Sequence, residues 1–184
     1  MVMTSGRVAL TYQHYAALPD DGRRYELHEG ELSVTPGPGA THQRVILKLV
    51  VALEAHVRAR RLGEVFVAPF DVILSDTTIV QPDIMYVATD RSARVSERGI
   101  EGAPTLAVEI LSPSTRSIDR DTKLRLYAGY GVPWYWIVDP ESRAVEIYKL
   151  DAGSYTLSAR IAGDEALSAE PFGDLTIPAA SLWA

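Results

Sequence analysis

The chain has 184 residues, 47% of them hydrophobic and 23% charged, the composition of an ordinary globular protein able to bury its own core. It contains no cysteine, which excludes disulfides and thiolate metal sites, and its formal net charge of -6 argues against indiscriminate nucleic-acid binding. Segment 1–7 lacks the apolar run of a signal peptide, and Val45–Val57 is broken by Lys48, Glu54 and His56, so no membrane span is expected and a cytoplasmic location is the default.

Thr11 is placed to cap a short helix over Tyr12–Leu18, ended by Pro19 and Asp20-Asp21-Gly22. Two strands, Arg24–His28 and Glu31–Val34, flank Glu29-Gly30, a two-residue hairpin loop with glycine where positive φ is needed. The stiff connection Pro36-Gly37-Pro38-Gly39 leads into the longest helix, Thr41–Arg61, with Ile46, Leu49, Val50, Leu53 and Val57 as its core face and Gly63 as its stop. Glu64–Leu74 reads as a strand bent at Pro69, Ser75–Thr78 as a turn, and Ile79–Val87 as the next strand. Residues 88–104, with Arg91, Arg94 and Arg98, form a long polar loop.

The apolar run Thr105–Leu111 is a buried strand closed by Ser112-Pro113-Ser114, and it carries one carboxylate, Glu109. A helix follows over Ile118–Tyr130, with Asp119, Lys123 and Tyr127 at four-residue spacing on one face. Trp134–Val138, Ala144–Tyr148 and Tyr155–Ile161 read as strands, and the tail adds a strand end and a short helix. Without repeats or linkers, residues 1–184 form one α+β domain: a mixed, largely antiparallel sheet with the two main helices packed on it.

If the strand starting at Pro82 pairs antiparallel with the one ending at Leu111, Asp83 lies near Glu109. Two adjacent carboxylates repel, and a divalent cation relieves that repulsion. An oxygen-only set favours Mg²⁺ or Mn²⁺. Lys123 could orient the attacking water or stabilise developing negative charge.

These residues resemble a family. Pro82-Asp83, Val108-Glu109-Ile110-Leu111-Ser112-Pro113-Ser114, Asp119, Lys123 and Tyr127, and Tyr135-Trp136-Ile137-Val138-Asp139-Pro140 are similar to the Uma-two family of the PD-(D/E)XK restriction-endonuclease-like superfamily. Tyr25-Glu26-Leu27, Gly30-Glu31-Leu32, Pro69-Phe70-Asp71-Val72 and Gly131-Val132 extend the likeness, which covers about 25–150. The resemblance implies a mixed sheet flanked by helices around an acidic metal site. It makes Asp83 and Glu109 metal ligands, with Glu26 as an upstream acid that completes the metal shell. The superfamily's lysine stands two residues after the second acid, where this chain has Leu111; the family resemblance moves that role to Lys123. The expected activity is Mg²⁺- or Mn²⁺-dependent hydrolysis of DNA phosphodiester bonds by Asp83, Glu109, Lys123 and Glu26. The alternative is a non-catalytic nucleic-acid-binding or protein-interaction module on the same fold. A homodimer suits the cutting of two strands.

Other residues have plainer readings. Glu26 is equally a solvated strand residue, and His42 reads as a cap or surface histidine before a phosphate contact. Arg44, Lys48, Arg58, Arg60 and Arg61 read as a solvated helix face first and a phosphate-contacting patch second. Tyr127 and Tyr130 read as core or rim aromatics, and Trp134 and Trp136 as packing residues. Dinucleotide, P-loop, zinc-protease and serine-elbow spacings are all absent.

Overall fold

The computed structural model describes residues 8–184, and segment 1–7, read above for a leader, lies outside them. Helix α1 (Tyr12–Ala16) precedes the hairpin β1 (Arg24–His28) and β2 (Glu31–Thr35). Glu29 and Gly30 turn that hairpin with φ of 53° and 85°, the positive pair of a two-residue loop. Helix α2 (Ala40–Arg60) is followed by β3 (Gly63–Val67), β4 (Val72–Ser75), β5 (Thr78–Val80) and β6 (Ile84–Ala88). After a 3₁₀ turn at Thr89–Arg94 come β7 (Val95–Ser96), β8 (Gly99–Glu101) and β9 (Leu106–Ile110). A π-helical turn, Ile118–Lys123, runs into α3 (Leu124–Gly129). Then come β10 (Trp134–Asp139), β11 (Ala144–Asp151), β12 (Ser154–Ala162), β13 (Ala166–Ala169), β14 (Phe172–Pro178) and α4 (Ala179–Trp183).

The strands form two six-stranded sheets and a two-stranded ribbon, where the sequence suggested one sheet. The first sheet has the order β2-β1-β5-β4-β8-β7 and the second β12-β11-β10-β9-β6-β3. Each is antiparallel apart from one parallel pair, β4 with β8 and β9 with β10. The mixed, largely antiparallel α+β architecture is thus as expected.

Alternation along the second sheet builds two cores. Ile84, Tyr86, Leu106, Val108, Trp136 and Val138 pack with Val45, Leu49, Leu53 and Val57 of α2 and with Phe172, Ile177 and Leu182. Their neighbours Met85, Val87, Ala107, Tyr135 and Ile137 pack instead with Tyr127 and with Val72, Val80 and Ile100 of the first sheet. The second sheet is therefore the middle layer, and every residue of β9 is buried. Burying both faces explains why its strands read as unbroken apolar runs.

Several element boundaries differ from the sequence reading. Glu64–Leu74 is two strands in different sheets, separated at a cis Ala68–Pro69 bond. Ile79–Val87 divides at Gln81-Pro82-Asp83, where β5 leaves the first sheet and β6 enters the second. Proline has no N–H for a ladder, so Pro82 marks the crossing. The 88–104 loop carries β7 and β8, which pair with each other while β8 also pairs with β4.

Candidate active site

The β6–β9 register pairs Ile84 with Val108, so the next position on each strand brings Asp83 opposite Glu109 on the same face, as the antiparallel argument required. Both are buried. Lys123 reaches Glu109 from the π turn, its Nζ 2.9 Å from Glu109 Oε1, 3.1 Å from Glu26 Oε1 and 3.7 Å from Asp119 Oδ1. Tyr127 donates to the same Glu109 oxygen at 2.7 Å. Asp119, Lys123 and Tyr127 thus share one face, and the wider π turn brings Asp119 and Lys123 onto the site together.

Glu26 is buried too, but on the far side of Lys123. Its Oε1 accepts the Gln81 N–H at 2.6 Å as well as Lys123, and its Oε2 lies 3.2 Å from His28 Nε2. The cavity at the site, about 220 Å³, is lined by Arg24, His42, Asp83, Glu109, Asp119 and Lys123, and residues of 35–39 and 112–115 complete its wall. Glu26 is not part of that wall. It reaches the site through Lys123.

Two residues the sequence reading did not place here hold Asp83. Arg24 Nη1 lies 3.2 Å from Asp83 Oδ1, while its Nη2 donates to the Gln81 carbonyl. His42 Nε2 lies 2.9 Å from Asp83 Oδ2, which also accepts the Ile110 N–H at 2.8 Å. His42 is a buried residue of α2 with no partner on Nδ1, not a surface histidine. The signal was present: His42, Val45, Leu49, Leu53 and His56 form the buried stripe, leaving Ile46 and Val50 at its margin. Arg24, Glu26 and His28 alternate along β1, and this polar period-two face turns inward.

The electrostatics follow from four carboxylates around few cations. Burial opposes ionisation of Asp83, but His42, Arg24 and the Ile110 N–H outweigh it and hold the carboxyl below its ordinary range. Burial likewise opposes the charged form of Glu26, which Lys123 and His28 outweigh, lowering its pKa. Glu109 goes the other way. Burial pushes it well above the carboxylate range, and Asp119, Asp83 and Glu26 add to that against the pull of Lys123. Burial works against the Lys123 ammonium, yet Glu109, Glu26 and Asp119 keep it charged beyond an ordinary lysine. The neighbouring acids thus leave a surplus of negative charge around Glu109 that opposes its ionisation.

That surplus is what a hard cation would relieve, and the donor set suits one: the Asp83, Glu109 and Asp119 oxygens line one cavity with no sulfur. Among the described residues no group of three or more acids or histidines is placed to hold a metal ion. An ion here would be held by two carboxylates and completed by water or substrate, the usual arrangement for Mg²⁺. The residues fit the group, provided Asp83 is released from Arg24.

The family model described as "Putative restriction endonuclease", Uma2, matches residues 12–180. The chain belongs to the Uma2 family. The Uma2 chain is also similar to a solved structure titled as a "putative nuclease belonging to DUF820" from Anabaena variabilis ATCC 29413. The TM-score is 0.78 at 20% identity, over 95% of this chain and 97% of that one. At that identity the likeness establishes the fold. No curated protein matches. Among the described residues of the Uma2 chain, no helix is long and apolar enough to cross a membrane.

Proposed function

We propose that this Uma2 protein is a metal-dependent endonuclease hydrolysing DNA phosphodiester bonds in the Asp83–Glu109–Lys123 cavity. The observation that carries the reading is the charged Lys123 Nζ, 2.9 Å from Glu109 on the strand next to Asp83, on the wall of one cavity. Asp83 and Glu109, with Asp119 beside them, are the groups to hold Mg²⁺ or Mn²⁺. When bound, such an ion supplies Lewis acidity toward a phosphoryl oxygen and lowers the pKa of water. Lys123 donates its N–H bonds to the oxygens that gain charge as water adds and one P–O ester bond breaks. Glu26 keeps that ammonium in place, with its oxygens tied to Gln81 and His28. Tyr127 fixes the Glu109 carboxyl from the other side.

Supercoiled plasmid tests the reading. Wild type with Mg²⁺ or Mn²⁺ should nick or linearise it, and Asp83→Asn and Glu109→Gln should lose about two orders of magnitude or more. Cleavage undiminished in either variant, or in a chelator, overturns the assignment. Early accumulation of linear product would point to a homodimer cutting both strands together; nicked product alone would point to independent events.

One observation favours the non-catalytic binding module: both Asp83 oxygens are already engaged by protein groups. Under that reading wild type binds the plasmid without turnover, and Asp83→Asn changes nothing.

A further inference from the structure

Asp83 is engaged by three groups, and one of them stands out. The Ile110 N–H belongs to the β9 backbone, and His42 is buried in α2. Arg24 is held differently. It opens β1, keeps 19% of its side chain exposed, and forms part of the wall of two cavities. One is the catalytic cavity of about 220 Å³; the other, about 360 Å³, lies between Tyr15, Pro19, Tyr25, Pro69 and Gln81. A planar guanidinium matches a phosphate diester as well as it matches a carboxylate.

We propose that Arg24 is the substrate-phosphate clamp of this site, and that it and the metal exchange partners on Asp83. Without ligand, Arg24 closes the Asp83 carboxylate. As the ion takes Asp83, the guanidinium turns to the incoming phosphodiester, so ion and nucleic acid each favour the other's binding. The carboxylate coordinates only when Arg24 has left it, and Arg24 meets phosphate only when the carboxylate has another cation. This inference rests on the metal-site reading above.

Mn²⁺ binding by the full chain, followed calorimetrically, tests it without turnover. Arg24→Gln should bind Mn²⁺ about tenfold more tightly than wild type, the gain expected if Asp83 is open about a tenth of the time. A phosphorothioate DNA duplex, titrated by fluorescence anisotropy, gives the second arm. Without divalent ions the variant and wild type should bind it equally; with Mn²⁺ wild type should bind about tenfold more tightly. Equal Mn²⁺ affinity in both proteins, or a duplex deficit in Arg24→Gln already present without metal, overturns the exchange and leaves the metal site standing. No Mn²⁺ binding to either overturns the metal site and the exchange together. Should Arg24→Gln fail to fold, the Arg24 Nε–H resonance of wild type decides: it must shift in step with Mg²⁺ occupancy, and a static resonance overturns the exchange.

Discussion

Lys123 sets the residue-scale logic. Three carboxylates lie within 3.7 Å of one buried ammonium, so removing it leaves them facing one another without their shared cation. Lys123→Met should therefore cost about 3–5 kcal/mol in urea unfolding, the range for breaking a buried ion pair from one side. Glu109→Gln should stay within about 1 kcal/mol of wild type, because Glu26 and Asp119 still face Lys123 and the amide oxygen still accepts from Tyr127. A larger loss from Glu109→Gln than from Lys123→Met would contradict this electrostatic account. Loss of cleavage in a lysine variant must accordingly be read beside its stability. Asp83, Glu109 and Lys123 were legible in the sequence because a lone acid in an apolar strand and a four-residue helical spacing are local patterns. Arg24 was not: its partner is 59 residues away.

At the scale of elements, glycine and turn chemistry set the frame. Gly63 has φ of 148°, and a Cβ there would meet the Val87 carbonyl oxygen at 2.0 Å, so β3 can lie against β6 only without a side chain. Gly63→Ala should destabilise by about 3 kcal/mol or more, whereas Gly37→Ala, with open space around it, should be nearly neutral in the same thermal melts. The β10–β11 turn offers a pH test. Burial raises the Asp139 pKa, but Arg116 and the Ser142 N–H outweigh it, so its folded value lies below an ordinary aspartate. Such a group stabilises fully above the unfolded pKa of about 4 and loses that stabilisation as pH falls through the folded pKa. The gap between wild type and Asp139→Asn in urea midpoint should thus close as the pH is lowered from neutrality to about 2. The hairpin, the long helix and the central strand were readable from periodicity. The π turn and the breaks at Pro69 and Pro82 were not, since apolar runs on both sides of each proline look like one strand.

Across the whole molecule, the second sheet shares one face with α2 and the other with the first sheet. Tryptophan fluorescence, reporting Trp136 in one core, and near-ultraviolet dichroism of Tyr127 and Tyr135 in the other should therefore unfold with the same midpoint. Two separated transitions would show that the layers fold as separate units. The α+β class was legible because strand and helix periods are local properties. The division into two sheets was not, because it depends on which strand pairs with which.

The site's own contacts differ in how far they reach along the chain. Lys123 and Glu109 are 14 residues apart, within the single β9–α3–β10 crossover, whereas Arg24 and Asp83 are separated by 59. Closing the longer loop carries about 1 kcal/mol more entropy loss. Loop closure alone therefore favours the Lys123–Glu109 pair over the Arg24–Asp83 pair wherever the sheet is only partly formed, an ordering that site-resolved hydrogen exchange at Ile110 and Gln81 would check.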